Sequence, residues 1–254
     1  MLVVRFISSR GKCGIMFEVV RQVDVAPTIA EVLGFKFPCD GRPINRIVEA
    51  SKGCRNVILL IVDSLGFNEY VEYRGFFSFV SEVESLGFLF KCLSYSRFTT
   101  PSIATLLCGL KPEKHGVWRT EDAYRSTVKN VVVVASKLGY KAAVVMEKFG
   151  ALSFQNRVDF VRPVEDVSDI KKFDETICSE VISVSECFSP NLVVAHLRTL
   201  DKLGFKRETV AYIDMLVKRI FEKSESETLM LICGDHPPHG VKSEEFVALI
   251  ALTK

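Results

Sequence analysis

The sequence predicts an α/β protein with a mostly parallel central sheet and helices on both faces of that sheet. Short runs rich in β-branched residues recur along the chain, and several are apolar at every position, as strands covered on both faces must be. Longer stretches with apolar residues three and four positions apart lie between these runs and indicate amphipathic helices. Strands that alternate with helices are typical of a parallel sheet, whose site lies at the carboxyl ends of its strands.

Seven segments are predicted as strands, and three stand out as amphipathic helices. The predicted strands are Leu2–Ile7, Val57–Val62, Phe88–Leu93, Ala142–Met146, Leu192–Leu197, Leu229–Cys233 and Phe246–Leu252. The predicted helices are Phe76–Leu86, Phe173–Phe188 and Glu208–Phe221. A polar turn at Pro38–Pro43 follows a helix that ends at Gly34, but no Gly/Ser linker divides the chain, so all 254 residues are expected to form one domain.

The composition limits the classes of function. The chain has 33 Lys and Arg against 31 Asp and Glu, and this charge is too balanced for a protein that mainly binds polyanions. No apolar run approaches the roughly 20 residues of a membrane helix. Neither nucleic acid nor membrane is therefore an expected partner. The eight cysteines are expected to be reduced and mostly buried, because a chain of this length without a leader is typical of the cytoplasm.

Two aspartates follow apolar runs, each where a buried strand should end. Asp63 follows VILLIV, and Asp201 follows NLVVAHL at a distance of a few residues. An aspartate at this place can cap the next helix. It can equally bind a metal or act as an acid at the edge of the sheet, and the local sequence leaves both interpretations open.

A third strand end carries the hexapeptide DHPPHG. Asp235 and His236 follow the buried run LMLIC, and His239 lies three residues further on. An adjacent Asp–His pair presents an oxygen and an imidazole nitrogen to the same volume, which suits zinc or another borderline divalent ion. The alternative interpretation is a solvated polar loop that Pro237 and Pro238 stiffen.

A hydroxyl precedes an apolar helix in the segment TTPSIATLLCGL. Thr99 or Thr100 can cap this helix, and Pro101 suits its first turn. A threonine there also lies among free N–H groups that bind anions, so it can act as a nucleophile while the helix holds phosphoryl oxygens. If these strands are neighbours, several carboxylates meet at one edge, and clustered carboxylates normally require cations. His115 is expected to be an ordinary turn histidine.

Three segments resemble the alkaline phosphatase superfamily, which includes nucleotide pyrophosphatase/phosphodiesterases, arylsulfatases and cofactor-independent phosphoglycerate mutases. NVILLIVDSLG resembles the family's first strand and its metal-binding aspartate, here Asp63. TTPSIATLLCGLKPEKHGV resembles the nucleophile segment, with Thr99 as the nucleophile. ETVAYIDMLVKRIFEKSESETLMLICGDH resembles the helix and strand that lead to the family's metal pair, here Asp235 and His236. The resemblance spans most of residues 55–250 and implies the family's three-layer α/β fold.

The resemblance also implies an activity, a metal-dependent hydrolysis of phosphate esters through a covalent phospho-threonine intermediate. It implies one or two divalent ions, zinc first and manganese as the alternative, and a small phosphate ester or nucleotide as substrate. The implied metal ligands are Asp63, Thr99, Asp201, Asp235, His236 and His239. The threonine nucleophile and the segment LLCGLKPEKHGV look most like the nucleotide pyrophosphatase/phosphodiesterase branch, and a threonine cannot become the formylglycine of a sulfatase.

One departure from the family concerns the order of segments. DVAPTIAEVLGFKFPCDGRPI, at Asp24–Ile44, resembles the segment that closes the domain in most relatives, but here it comes first. A circular permutation is the simplest explanation, with residues 1–44 in place of the usual C-terminal segment. It predicts that Leu2–Ile7 lies close to Phe246–Leu252.

A second departure concerns activity. Relatives commonly carry Asp-x-x-Gly-His, whereas this chain has Phe205 in place of the histidine, so the first metal site keeps only Asp201 and His239. His196 is expected to point elsewhere. The alternative to an enzyme is therefore an impaired metal-binding homologue with a binding or regulatory role. Residues that recognise the leaving group are expected within Trp118–Phe173.

Overall fold

The structure is a computed structural model that describes residues 17–84, 88–240 and 245–254, without the side chain of Glu84. Within these residues, eight strands form one sheet. They are β1 (Val19–Arg21), β2 (Asn56–Val62), β3 (Phe88–Leu93), β4 (Ala142–Glu147), β5 (Phe160–Val164), β6 (Leu192–Leu197), β7 (Thr228–Gly234) and β8 (Phe246–Thr253). Their order across the sheet is β1-β3-β8-β7-β2-β6-β4-β5.

The sheet is mostly parallel, as the sequence predicts. Only β8 runs against its neighbours in the described part of the chain, since it pairs antiparallel with β3 and β7. The central strand β2 lies between β6 and β7, and Val62 is in register with Leu197 on one side and Gly234 on the other. Because these three strands end level with one another, the residues that follow them, including Asp63 and Asp235, meet at one edge of the sheet.

Twelve α-helices lie in the described residues, together with two short 3-10 turns at Gln22–Asp24 and Arg74–Phe76. The helices are α1 (Val25–Val32), α2 (Asn45–Ala50), α3 (Phe67–Tyr73), α4 (Ser78–Glu84), α5 (Thr99–Cys108), α6 (Pro112–His115), α7 (Thr120–Arg125), α8 (Val131–Lys137), α9 (Lys148–Leu152), α10 (Ile170–Phe188), α11 (Thr199–Leu203) and α12 (Arg207–Lys223).

Each face of the sheet packs into its own apolar core. Leu59 and Ile61 of β2 pack with α1, α5 and α8, whereas Leu60 and Val62 pack with α4, α10 and α12. This alternation follows from the two-residue period of a strand. It gives three layers, as the resemblance implies, and it decides which side chains at the strand ends face α5.

Six of the seven predicted strands are confirmed to within two residues at each end, as β2, β3, β4, β6, β7 and β8. The seventh, Leu2–Ile7, lies outside the described residues. The sequence analysis missed β1, which has three residues, and β5, an edge strand that contains Pro163. Proline suits an edge strand because no neighbour needs its missing N–H.

Two of the three predicted helices are confirmed as α10 and α12, each slightly longer than predicted. The third was predicted as Phe76–Leu86, but α4 begins only at Ser78, after the separate turn Arg74–Phe76. Buried Asp214 of α12 fixes this start, because its carboxylate accepts hydrogen bonds from the N–H groups of Phe79 and Val80. The residues after Glu84 in this prediction lie outside the described part.

The described part of residues 1–44 contributes the edge strand β1 and helix α1, which contacts α5 and α8. Gly34 adopts φ +84°, which ends the helix as expected, and β1 joins the sheet next to β3. The side chain of Gln22 donates hydrogen bonds to the carbonyls of Gly234 and Asp235, so this segment contacts the end of β7. The circular permutation stays a prediction, because Leu2–Ile7 lies outside the described residues.

The seven cysteines that the structure describes are free thiols, and four of them are buried. Among the described helices, none combines the length and the apolar character that a membrane span requires.

Candidate functional site

Asp63 stands at the carboxyl end of β2 and is only 2% exposed. Its N–H donates to the carbonyl of Leu197 at 2.8 Å, and the next residue, Ser64, turns the chain sharply with φ +62°. The following helix, α3, takes Gly66 as its N-cap. Asp63 therefore caps no helix, and the interpretation of this aspartate as a site residue is the one that the structure supports.

Asp235 and His236 follow β7, and both are fully buried, which excludes a solvated loop. One carboxylate oxygen of Asp235, Oδ1, accepts hydrogen bonds from the N–H groups of Ser64 and His236. The imidazole Nδ1 lies 2.9 Å from the carbonyl of Pro237, so Nδ1–H donates there and Nε2 faces the carboxylates. The pair thus directs one oxygen and one nitrogen to the same point.

Thr99 is the first residue of α5, whose N-cap is Phe98 and has no side-chain cap. The hydroxyl of Thr99 therefore caps nothing and lies 3.3 Å from Nε2 of His236. The neighbouring hydroxyl, on Thr100, lies instead 3.4 Å from that of Thr120. The structure thus distinguishes the two threonines, and only Thr99 joins the Asp–His pair.

The donor set around Nε2 of His236 fits a divalent cation. Oδ1 of Asp63 lies 3.2 Å from this nitrogen and Oδ2 of Asp235 lies 3.5 Å from it. Both oxygens are buried and accept no hydrogen bond. Two buried carboxylates without donors are costly unless a positive charge compensates them. Two carboxylates, an imidazole and a hydroxyl are ligands that zinc or manganese accepts.

When no cation is bound, protons on Asp235 and His236 supply the compensating positive charge. Burial, reinforced by the Asp63 carboxylate, raises the pKa of Asp235 to about 8. Burial alone would lower the pKa of His236, but the carboxylates of Asp63 and Asp235 outweigh it and raise that pKa to about 9. The pair therefore retains protons near neutral pH, which a bound cation must displace.

A second cluster lies on the other side of His236. Oδ1 of Asp201 accepts a hydrogen bond from the Ser64 hydroxyl and lies 3.4 Å from Nε2 of His239. Although burial opposes the shift, the Lys202 ammonium and the Ser64 hydroxyl lower the pKa of Asp201. The side chain of His239 is 59% exposed, and its ring lies against that of His236. Asp201, His236 and His239 together could hold an ion.

This second cluster fits a cation less well than the first. Phe205 stands where the resemblance implies a histidine ligand, and its ring packs against that of Tyr73. Lys202 forms an ion pair of 2.8 Å with Oδ2 of Asp201 and so already neutralises that carboxylate. The sequence predicts that the Asp201 cluster lacks a histidine ligand. The structure adds a second obstacle to a cation, the ammonium group of Lys202, which no motif indicated.

His196 does not replace the missing ligand of the Asp201 cluster, as the sequence analysis expects. It belongs instead to the first cluster, because Nε2 of His196 lies 3.6 Å from Oδ2 of Asp63. The ring is 4% exposed, and burial lowers the pKa of His196 to about 4, so the imidazole is neutral. The register of β6 explains this position, because His196 pairs with Ile61, which faces α5, and Asp63 lies two residues beyond Ile61 on the same face.

An open pocket of about 830 Å³ leads from the solvent to these residues. Its polar lining includes Asp63, Thr99, His196, Arg198 and Lys202, so two cationic side chains stand at its rim. The loops and helices between Trp118 and Phe173 supply much of the remaining lining. Much of the pocket lining therefore comes from the region in which the sequence analysis expects the residues that recognise a leaving group.

A smaller cavity of about 110 Å³ adjoins this pocket along α5. Thr100, Ile103 and Met146 line both spaces. The lining of the smaller cavity is mainly apolar, with Leu107 and Phe154 among its residues. It offers a place beside Thr99 for an apolar group.

His115 also borders the smaller cavity, but it is a structural residue, as expected. Its Nε2 lies 3.1 Å from the hydroxyl of Thr105, and its Nδ1 accepts a hydrogen bond from the N–H of Val117. Both nitrogens are therefore occupied, one by α5 and the other by the turn after α6.

The solved structures of other proteins share this fold at low sequence identity. Phosphonoacetate hydrolase from Sinorhizobium meliloti 1021 matches 79% of this chain at 13% identity with a TM-score of 0.59. A protein in the alkaline phosphatase superfamily from Vibrio parahaemolyticus matches 92% of this chain, and 68% of its own, at 12% identity with a TM-score of 0.60. Human ectonucleotide pyrophosphatase / phosphodiesterase 5 matches 72% of this chain, and 57% of its own, at 13% identity with a TM-score of 0.51.

These likenesses show the fold and extend over only part of some relatives, since the chain spans 59% of the phosphonoacetate hydrolase. No family model matches the chain, and no curated protein matches its sequence.

Proposed function

We propose that this chain, which has the fold of the alkaline phosphatase superfamily, is a metal-dependent hydrolase of phosphate esters that uses Thr99 as its nucleophile. The observation that carries the proposal is the convergence of Thr99 Oγ1, two buried carboxylate oxygens and Nε2 of His236 at one point. These groups come from β2, α5 and β7, and helix capping or core packing does not require them to meet.

The residues fit a covalent mechanism. A divalent cation held by Asp63, Thr99, Asp235 and His236 would lower the pKa of the Thr99 hydroxyl and stabilise charge on the phosphoryl group. Free N–H groups in the first turn of α5 and the cationic side chains at the pocket rim attract the phosphoryl oxygens. Oγ1 forms a bond to phosphorus, its proton passes to solvent, and the bond to the leaving-group oxygen breaks. Water then cleaves the phospho-threonine and restores the hydroxyl.

A phosphodiester with an apolar substituent is the proposed substrate class, and a nucleotide is one member of it. The open pocket admits the phosphoryl group, and the adjoining apolar cavity receives one substituent of the ester. Two proteins of the same fold bear names that describe cleavage of phosphorus-containing compounds, a phosphonoacetate hydrolase and a nucleotide pyrophosphatase/phosphodiesterase. Zinc is the proposed metal, with manganese as the alternative.

The decisive experiment is the replacement of the nucleophile. We expect Thr99→Ala to reduce hydrolysis of bis(p-nitrophenyl) phosphate by about 1,000-fold or more, because no other hydroxyl group of α5 contacts Nε2 of His236. Activity is measured with added zinc or manganese, and p-nitrophenyl phosphate serves as the monoester comparison. Acid-quenched wild-type protein should carry the ester adduct on the peptide that contains Thr99, as mass spectrometry would detect.

Thr176→Ala provides the control, since the hydroxyl of this exposed threonine only contacts the carbonyl of Lys172 within α10. This variant should keep the wild-type rate. If Thr99→Ala also keeps it, Thr99 is not the nucleophile.

A second candidate function is metal-dependent binding without turnover, and one observation favours it. Phe205 and the Lys202–Asp201 ion pair occupy the place where the resemblance implies a metal ion. A protein that binds zinc but cleaves neither the diester nor the monoester would support this function instead.

A further inference from the structure

His196 is a buried titratable residue beside the proposed cation that the proposed mechanism leaves without a role. It lies at the end of β6, faces the same side of the sheet as Asp63, and its Nε2 is buried without a hydrogen-bond partner. We propose, on the basis of the function proposed above, that Nε2 of His196 is a further ligand of the cation held by Asp63 and Asp235.

The two oxygens of Asp63 face different imidazoles. Oδ1 lies 3.2 Å from Nε2 of His236, and Oδ2 lies 3.6 Å from Nε2 of His196. One ligand atom from each of Asp63, His196 and Asp235 lies within 4.8 Å of the other two. Since zinc bonds to nitrogen and oxygen are about 2.0–2.2 Å long, ligand atoms around one ion lie up to about 4 Å apart. A contraction of less than 1 Å therefore brings these atoms onto one ion.

The chemistry of the contact between His196 and Asp63 favours an ion between them. A separation of 3.6 Å is too long for a hydrogen bond from Nε2–H to the carboxylate. If Nε2 instead carries its lone pair, two electron-rich atoms face each other in a buried site, which is unfavourable unless a cation lies between them. A shared cation satisfies Nε2 and both carboxylates at once.

With His196 as a ligand, the Asp63 cluster offers more cation ligands than the Asp201 cluster. The cluster around Asp201 has lost one histidine to Phe205 and its carboxylate is paired with Lys202. The cluster around Asp63 gains a histidine from β6. The chain then holds one cation through two imidazoles and two carboxylates, in addition to Thr99, and the Asp201 cluster is the weaker of the two.

X-ray absorption at the zinc edge tests the proposal, because it counts imidazole ligands directly. The full chain, stripped of metal and loaded with one equivalent of zinc, should show two imidazoles in the wild type and one in His196→Asn. His239→Asn should still show two, because His239 belongs to the other cluster. His196→Gln repeats the test if His196→Asn fails to fold, which circular dichroism would reveal.

Chelator competition gives a second readout. We expect the zinc dissociation constant of His196→Asn to rise by about 100-fold, since loss of an outer partner alone already costs 10- to 100-fold. His115→Asn is the matched control, because this histidine is equally buried but bonds Thr105. It should leave the constant unchanged.

The possible failures are distinguishable. Wild-type protein that binds zinc through a single imidazole, or through two that persist in His196→Asn, overturns the role of His196 and leaves the proposed function standing. Wild-type protein that binds neither zinc nor manganese overturns the proposed function itself.

Discussion

One hydrogen bond orients His236, the residue at the centre of the site. Its Nδ1–H donates to the carbonyl of Pro237, so Nε2 is the nitrogen that faces Asp63, Thr99 and Asp235. A backbone acceptor on the far side of the ring is the arrangement that fixes a metal-binding imidazole. Without a metal, Nε2 holds a proton there, since the two carboxylates raise the pKa of His236 to about 9.

This proton predicts how metal affinity depends on pH. Asp235 and His236, with pKa values raised to about 8 and 9, hold protons at pH 6 that a cation must displace. Raising the pH removes this competition, so affinity rises. If both protons leave for each cation, the zinc dissociation constant falls about 1,000-fold or more between pH 6 and pH 8. Calorimetry in buffers of different ionisation enthalpy measures the number of protons released.

Asp235→Asn is the informative variant for this prediction, because it removes one of the two protonated groups. It should bind zinc more weakly and with a smaller pH dependence. A binding heat that is the same in every buffer would contradict the proton release.

The sequence alone identified some of these residues and missed others for a physical reason. Asp63 and Asp235 directly follow apolar runs, so the position of each at a strand end could be predicted. The role of His196 could not, because it depends on which face of the sheet carries α5, and a strand that is apolar on both faces does not show this. The contact of Gln22 with the carbonyls of Gly234 and Asp235 could not be predicted either, because no motif shows that these two distant segments lie side by side.

At the scale of elements, helix α10 positions the segment that leads to Asp201. The carboxylate of Asp174 in α10 accepts hydrogen bonds from the N–H groups of Arg198 and Thr199, which begin α11. This carboxylate is fully buried, and burial raises the pKa of Asp174 to about 6 despite these donors. The helix was predictable from its apolar period, but this long-range contact was not, because it joins residues 24 and 25 positions apart.

The raised pKa of Asp174 predicts a pH-dependent stability. The unfolded carboxyl group loses its proton near its ordinary pKa of 3.8, whereas the folded one loses it near 6. Between these values the folded state binds more protons, so the free energy of unfolding falls as the pH rises. The loss approaches about 3 kcal/mol above pH 6. About 2 kcal/mol of this loss falls between pH 4.5 and pH 7, and urea unfolding of metal-free protein at these two pH values measures it.

Asp174→Asn should change this difference between the two pH values by about 2 kcal/mol relative to the wild type, and the remainder comes from Asp235, His196 and His236, whose pKa values are also shifted in the metal-free protein. Asp169→Asn, on the exposed N-terminus of the same helix, should retain the wild-type difference. Equal pH dependence in the wild type and in Asp174→Asn would show that Asp174 does not cause it.

At the scale of the whole molecule, the site is assembled from distant parts of the chain. Asp63, Thr99 and Asp235 follow or begin three different elements, and the register of β2 between β6 and β7 brings the strand ends together. The fold class was predictable because apolar runs and amphipathic stretches report burial directly. The strand order and the pairing of β8 were not, because they depend on contacts between segments that are far apart in the sequence.

A cation shared by separate elements should stabilise the entire fold. It binds only where β2, α5 and β7 are assembled, so at a free concentration 100 times its dissociation constant it adds about 2.7 kcal/mol. For a domain of this size this corresponds to a rise in melting temperature of about 5–10 °C. Scanning calorimetry with zinc and with chelator measures the shift. Asp235→Asn should melt at or above the metal-free wild type, because an amide is uncharged in this buried site without taking up a proton. It should lose most of the zinc-induced shift. A shift of equal size in this variant would place the stabilising ion elsewhere.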